Sequence, residues 1–170
     1  MQNSKNLFQP ANEQFMIFTN LITMLVPGAA TGNQYAVFED NTPPLAGPPP
    51  HSHPDEEVFY VIEGLYEFIL NDITKPFRVQ PGEVVRVPSN ALHTFKNVGT
   101  TMGKMLTIIT PGTLENYFRQ IGVPITSATD IPDLTKEPDL SKLDIAKAFA
   151  LAPQHKVTFY LPQMVPTETL

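Results

Sequence analysis

Residues 48–64 read Pro-Pro-Pro-His-Ser-His-Pro-Asp-Glu-Glu-Val-Phe-Tyr-Val-Ile-Glu-Gly, and this stretch decides how the rest of the chain is understood. His51 and His53 stand two residues apart, and Glu57 follows four residues later. Successive side chains of a strand alternate faces, so residues at even spacing share one face if the strand stays regular. Two imidazoles and a carboxylate then point the same way.

A third imidazole, His93, sits in a separate extended stretch, residues 91–97. There the alternation puts His93, Phe95 and Asn97 on one face and Leu92, Thr94 and Lys96 on the other. Neighbouring strands lie about 5 Å apart, so His93 can complete a site with bonds of roughly 2 Å. Each of these residues alone has a plainer reading. A single histidine on an apolar strand is more often a satisfied core residue, and Glu57 beside Asp55 and Glu56 reads as a solvated charge. Together they are expensive to bury without a partner, and a divalent cation is that partner.

Composition narrows the ligand chemistry. The 170 residues fit one domain with a core large enough to fold unaided. There is no cysteine, so disulfides, thiolate ligands and a cysteine nucleophile are all excluded, and any metal is bound through nitrogen and oxygen. The net charge of −6 and the lack of a Lys/Arg cluster argue against nucleic acid as a partner. Eighteen prolines and nine glycines favour many short strands and turns over long helices.

Outward from the histidine stretch, the apolar run 15–26 reads as one or two core strands. It is a poor signal sequence, with only Lys5 as a positive side chain ahead of it, Glu13 beside it and Thr19, Asn20 and Thr23 within it. It is too short to span a bilayer, and the expectation is a cytoplasmic protein with no membrane partner. Residues 32–39 read as a strand, 41–50 as a stiff proline-rich loop, and 51–63 as one extended stretch ended by Gly64. Strands are also predicted over 66–70, 77–79, 84–87, 91–97 and 102–110. This pattern of short strands and turns means an all-β sandwich or barrel. Beyond Gly112 the pattern changes: Thr113 reads as the cap of a helix carrying Leu114, Phe118 and Ile121 and stopped by Gly122. A Pro- and Asp-rich connector (123–141), a second helix (143–151) and a short apolar strand (157–161) complete the chain. The expected division is an N-terminal arm (1–14), a β-barrel (15–112), and C-terminal helices and tail packed on it (113–170).

The two histidine-bearing stretches resemble the paired motifs of the cupin superfamily. Gly47-x3-His51-x-His53-x3-Glu57-x6-Gly64 is similar to the first motif, and Gly82-x5-Pro88-x-Asn90-x2-His93-x3-Asn97 to the second, with Asn90 where the family usually has glycine. Asn tolerates a left-handed backbone better than most residues, so the turn remains accessible. More narrowly, the chain resembles single-domain cupins related to quercetin 2,3-dioxygenase. The resemblance implies a jelly-roll antiparallel β-barrel and a metal bound by His51, His53, Glu57 and His93. It also implies that Glu57 doubles as catalytic base, and that the protein forms a homodimer.

Three imidazoles and a carboxylate leave positions open for a substrate, which suits one Fe, Mn, Ni or Co ion per chain better than a closed structural zinc, with no organic cofactor required. The face pattern makes Phe59, Val61, Tyr66, Phe68 and Phe95 candidate walls of an apolar pocket. The leading expectation is a metal-dependent dioxygenase acting on a small aromatic or polyphenolic, flavonol-like substrate. A non-catalytic cupin that binds a small molecule for sensing, and a metal-dependent isomerase or epimerase, are the alternatives.

Overall fold

In the computed structural model, residues 13–140, 143 and 145–160 are described, so most of the predicted arm, and Ser141 and Leu161 at the ends of their predicted segments, lie outside the described residues. The strands in chain order are β1 (Glu13–Ile17), β2 (Asn20–Val26), β3 (Ala36–Thr42), β4 (His51–Ser52), β5 (Glu56–Glu63), β6 (Tyr66–Leu70), β7 (Phe77–Val79), β8 (Val84–Val87), β9 (His93–Asn97), β10 (Gly103–Thr110), β11 (Val123–Pro124) and β12 (Thr158–Phe159). Two α-helices, α1 (Glu115–Ile121) and α2 (Ile145–Leu151), lie after the barrel strands. One sheet has the order β11-β1-β2-β3-β10-β5-β8, the other β12-β4-β9-β6-β7, and all pairings are antiparallel. This is the all-β, jelly-roll architecture read from the sequence.

The two sheets meet through alternating apolar side chains. Along β10, Gly103, Met105, Thr107 and Ile109 are buried while their neighbours are not. Phe59 of the larger sheet packs against Phe68 and Phe95 of the smaller one, with ring centroids 5.5 and 5.6 Å apart. Burying rings of this size is worth about 1.5–3 kcal/mol each, so this cluster is a principal tie between the sheets. Tyr66, Phe68 and Val61 belong to it, all but fully buried. A second cluster, around Phe15, Ile22, Phe38 and Ile109, is capped by Leu114 and by Tyr117 of α1.

Several element boundaries differ from the sequence reading, each for a local reason. The extended stretch 51–63 is not one strand. After Ser52 the chain leaves the smaller sheet, passes Pro54, which cannot donate a ladder hydrogen bond, and enters the larger sheet at Glu56. The first strand starts at Glu13, inside the predicted arm. β3 runs on to Thr42, so Asp40, Asn41 and Thr42, expected at or beyond the strand end, are buried ladder residues. The first helix is not capped by Thr113: the position before it is Leu114, with no side-chain cap, while Gly122 ends it as predicted. Asn90 has φ 62°, the left-handed turn that the second motif requires.

Candidate metal centre

The proline-rich loop delivers His51 in a set orientation. Prolines cannot donate, but their carbonyls accept, and three in succession do so: Pro48 from Thr94 Oγ1 at 2.6 Å, Pro49 from the His51 ring at 2.9 Å and Pro50 from the Tyr160 amide at 2.8 Å. His51 pairs directly with His93 across β4 and β9. His93 in turn uses its Nδ1 on the Ala91 carbonyl, 2.9 Å away. With Nδ1–H donating to a carbonyl in both rings, Nε2 is left as the lone-pair nitrogen, the arrangement that suits a metal ligand.

The crossing at Pro54 explains how residues of the first stretch still converge. His53 lies on the crossing, and Glu57 is the second residue of β5, so a histidine pair from one side of the barrel faces a carboxylate from the other. The Asn90 amide donates to the His53 carbonyl at 2.7 Å, and Ser89 Oγ donates to the Pro54 carbonyl, which ties the two motif turns together. One ligand atom from each of His51, His53 and His93 lies within 4.8 Å of the others, and these three form a group able to hold a metal ion. Glu57 Oε2 is 3.2 Å from His93 Nε2 and 3.7 Å from His53 Nε2. His155 lies apart, its ring against Tyr117 and its Nε2 3.3 Å from Gln120.

The electrostatics suit a site that would hold a cation. Both ring nitrogens of His53 are buried without a hydrogen-bond partner, a state that costs roughly 1–3 kcal/mol per group unless something binds there. Burial, then the neighbouring His93 and His53, push His51 down to about 3, so it stays neutral. Burial also works against a charged His53, but the Glu57 and Asp55 carboxylates outweigh it and raise its pKa. For Glu57, burial alone would favour the neutral acid, yet His53 and His93 hold it well below the usual carboxylate range. Bonds of roughly 2.1 Å place neighbouring donors about 3–3.5 Å apart, so imidazole nitrogens within 4.8 Å of one another would have to draw closer to hold an ion, with Glu57 adjacent.

His51, His53 and Glu57 line a cavity of about 70 Å³, with His93 just behind them. Phe59 and Phe95, two of the expected wall residues, line it. Val61, Tyr66 and Phe68 do not: they pack in the aromatic cluster between the sheets. The remaining wall comes from residues that the sequence reading did not place in the pocket, among them Phe38, Phe118 and Phe159. Phe159, on β12, pairs with His51 and sets its ring 6.0 Å from the imidazole. Asp40 and Asn20 also reach the wall, and neither was singled out from the sequence. For Asp40 a signal existed: it shares parity with Ala36 and Phe38, so extending that strand by one residue turns its carboxyl inward.

Comparison with known proteins agrees with this architecture. Residues 40–109 match the cupin domain family model. No protein of curated function matches the sequence. Among solved structures, an RmlC-like cupin from Shewanella frigidimarina is similar over 68% of this chain and 99% of its own, with a TM-score of 0.55 and 16% identity. A predicted oxalate decarboxylase from Thermotoga maritima matches over 58% of this chain and 91% of its own, with a TM-score of 0.52 and 21% identity. Oxalate decarboxylase of Bacillus subtilis, a protein with Mn(II) centres, matches over 64% of this chain and 30% of its own, with a TM-score of 0.55 and 17% identity. No helix among the described residues is long and apolar enough to cross a membrane. The chain has the cupin fold, and the segment that matches the cupin domain family model, residues 40–109, carries His51, His53, Glu57 and His93.

Proposed function

We propose that this protein is a metal-dependent oxygenase acting on a small, neutral phenol or enol, with His51, His53, His93 and Glu57 as the metal ligands. The observation that carries this reading is the three-imidazole group with Glu57 Oε2 3.2 Å from His93 Nε2, of which His51, His53 and Glu57 line a cavity whose other walls are largely aromatic and aliphatic. Held there, a divalent Fe, Mn, Ni or Co ion would supply Lewis acidity and open coordination positions, which lower the pKa of a bound hydroxyl.

The chain's own residues do the rest. The Pro49 and Ala91 carbonyls fix the tautomers of His51 and His93, so that both rings present Nε2 inward. Glu57, against two of the imidazoles, is placed to receive the hydroxyl proton of the substrate on its carboxylate. Phe59, Phe95 and Phe159 exclude water and offer rings against which a flat substrate packs.

Size and charge narrow the substrate class. At about 70 Å³, below the about 150 Å³ that encloses one benzene ring, the cavity takes a single ring only with part of it at the mouth, and a three-ring flavonol enters only if the wall moves aside. We therefore favour a substrate of one ring or smaller over the flavonol expected from resemblance. Neither Lys nor Arg is among the lining residues, whereas Asp40 and Glu57 are. A dianion such as oxalate would meet two carboxyls with no side-chain counter-charge, which separates this cavity from an oxalate decarboxylase reading.

The deciding experiment reloads metal-free protein separately with Fe(II), Mn(II), Ni(II) and Co(II), then follows dissolved oxygen with catechol, acetylacetone and quercetin. Oxygen uptake with at least one of the two small substrates, absent in His93→Ala, is the expected result. Tight binding with no consumption supports a sensing role instead, and turnover without oxygen supports an isomerase; either overturns the oxygenase reading.

A further inference from the structure

A buried carboxyl that forms no ion pair among the described residues stands in the cavity wall. Asp40 on β3 is 4% exposed. Asn20 Nδ2 reaches both of its oxygens, at 3.0 Å to Oδ1 and 3.1 Å to Oδ2, and Thr42 Oγ1 donates to Oδ1 at 2.9 Å. Oδ1 therefore has two donors, while Oδ2 has only a share of one amide. The register places Asp40 opposite Met105 and Glu57 opposite Ile109, four residues apart along β10, with Phe38 and Phe59 facing Thr107 between them. Asp40 and Glu57 thus reach the same cavity from separate positions along the barrel.

A tie between β2 and β3 needs only an acceptor for Asn20, which a neutral amide supplies without the penalty of burying a carboxyl. The titratable groups that face Asp40 are Glu57, whose charge disfavours a second anion, and Tyr66, whose hydroxyl is kept protonated by burial first and by the Asp40 carboxyl second. Burial, followed by Glu57, pushes Asp40 up to about 7 against the hydrogen bonds from Thr42 and Asn20. A neutral carboxylic acid in an apolar pocket is a hydrogen-bond donor, a use of buried acids known from enzymes that polarise a substrate oxygen.

We propose that Asp40 is a second substrate-reading group of this cavity, its Oδ2–H donating a hydrogen bond to an oxygen at the end of the ligand remote from the histidines. This rests on the small-substrate reading above and sharpens it: the ligand is a neutral, compact molecule with oxygen functions at two ends of an apolar body. No proton transfer through Asp40 is required, because the effect is orientation and charge stabilisation.

The test compares hydroquinone, oxygenated at both ends, with phenol, oxygenated at one, by anaerobic calorimetry on the Co(II)-loaded protein. Wild type favours hydroquinone by roughly five-fold, the worth of one net hydrogen bond. Asp40→Leu binds the two alike, and Asp40→Asn, whose amide also donates, recovers part of the preference. Difference infrared spectroscopy on metal-free wild type gives a readout that survives a misfolded variant: a protonated-carboxyl band that moves with hydroquinone and not with phenol. Equal affinities in wild type, a preference untouched by Asp40→Leu, an unmoved band or no binding of either phenol overturns the proposal. Cobalt stoichiometry on the same samples separates the two readings, since absent cobalt sinks the metal site while the infrared shift still decides Asp40.

Discussion

His93 Nε2 and Glu57 Oε2 stand 3.2 Å apart, and the two residues come from opposite sheets, His93 from β9 and Glu57 from β5. A single ion at this junction would be bonded to both halves of the barrel. His93→Ala is therefore expected to abolish stoichiometric metal. Glu57→Gln, which keeps the shape and loses the charge, is expected to weaken metal binding by about ten- to a hundred-fold. Elemental analysis of the purified variants checks both, and full metal content in His93→Ala would refute the assignment.

Metal affinity should fall as the solution becomes more acidic. His53 is raised above its usual 6.5 by Glu57 and Asp55, so in the metal-free protein it holds a proton that the ion must displace. His51, lowered to about 3, stays neutral and adds no competing proton in this range. Competition titrations with Co(II) are expected to show affinity falling on acidification, with the loss setting in at a higher pH than for an ordinary imidazole because His53 is raised. A flat profile would mean that His53 is not a ligand.

Asp40 makes an opposite pH signature on folding. Its folded pKa of about 7 lies above the usual 3.8 of an aspartic acid, so the native state keeps a proton that the unfolded chain gives up. The sign follows: wild type loses stability as pH rises from about 4 through 7, by up to about 4 kcal/mol for a shift of this size. Asp40→Asn carries no such proton. Denaturant unfolding of the metal-free proteins should therefore show the variant gaining on wild type between acidic and alkaline pH, and parallel curves would count against a buried acid.

Phe159 closes the cavity over His51 and rests edge-on against Phe149, their centroids 4.7 Å apart. Being only partly buried, its truncation to alanine is expected to cost about 2 kcal/mol, less than a fully enclosed phenylalanine. The same change enlarges the cavity, so two-ring phenols should bind Phe159→Ala and not wild type. Calorimetry with 2-naphthol reads this directly, and equal exclusion by both proteins would place the entrance elsewhere.

The sequence carried the cluster more surely than the path that builds it. Even spacing picked out His51, His53 and Glu57, but the single regular strand that would align them does not exist, because Pro54 breaks the ladder and the chain changes sheets there. Short-range signals held where backbone chemistry alone decides: Asn90 in its left-handed turn and Gly122 at the end of α1. Thr113 misled because a good capping residue is only a local preference, and here the helix begins one residue further on. The cavity walls were half legible. Phe59 and Phe95 lie on ligand-bearing strands, so parity reaches them, whereas Phe118 and Phe159 arrive from more than 20 residues beyond β9 and no periodicity links them to the site. Parity also faced Val61, Tyr66 and Phe68 inward, yet could not say which inward residues meet the cavity and which fill the space between the sheets.

The two-residue pairing of β12 on β4 gives one peptide two duties. It roofs the chamber, and it also covers the hydrogen-bonding edge of β4, which would otherwise be a template for another chain. Any movement of β12 wide enough to admit a bulky guest uncovers that edge at the same moment. Selection for a more accommodating chamber therefore runs against selection for solubility, and variants that widen the door should be the first to self-associate.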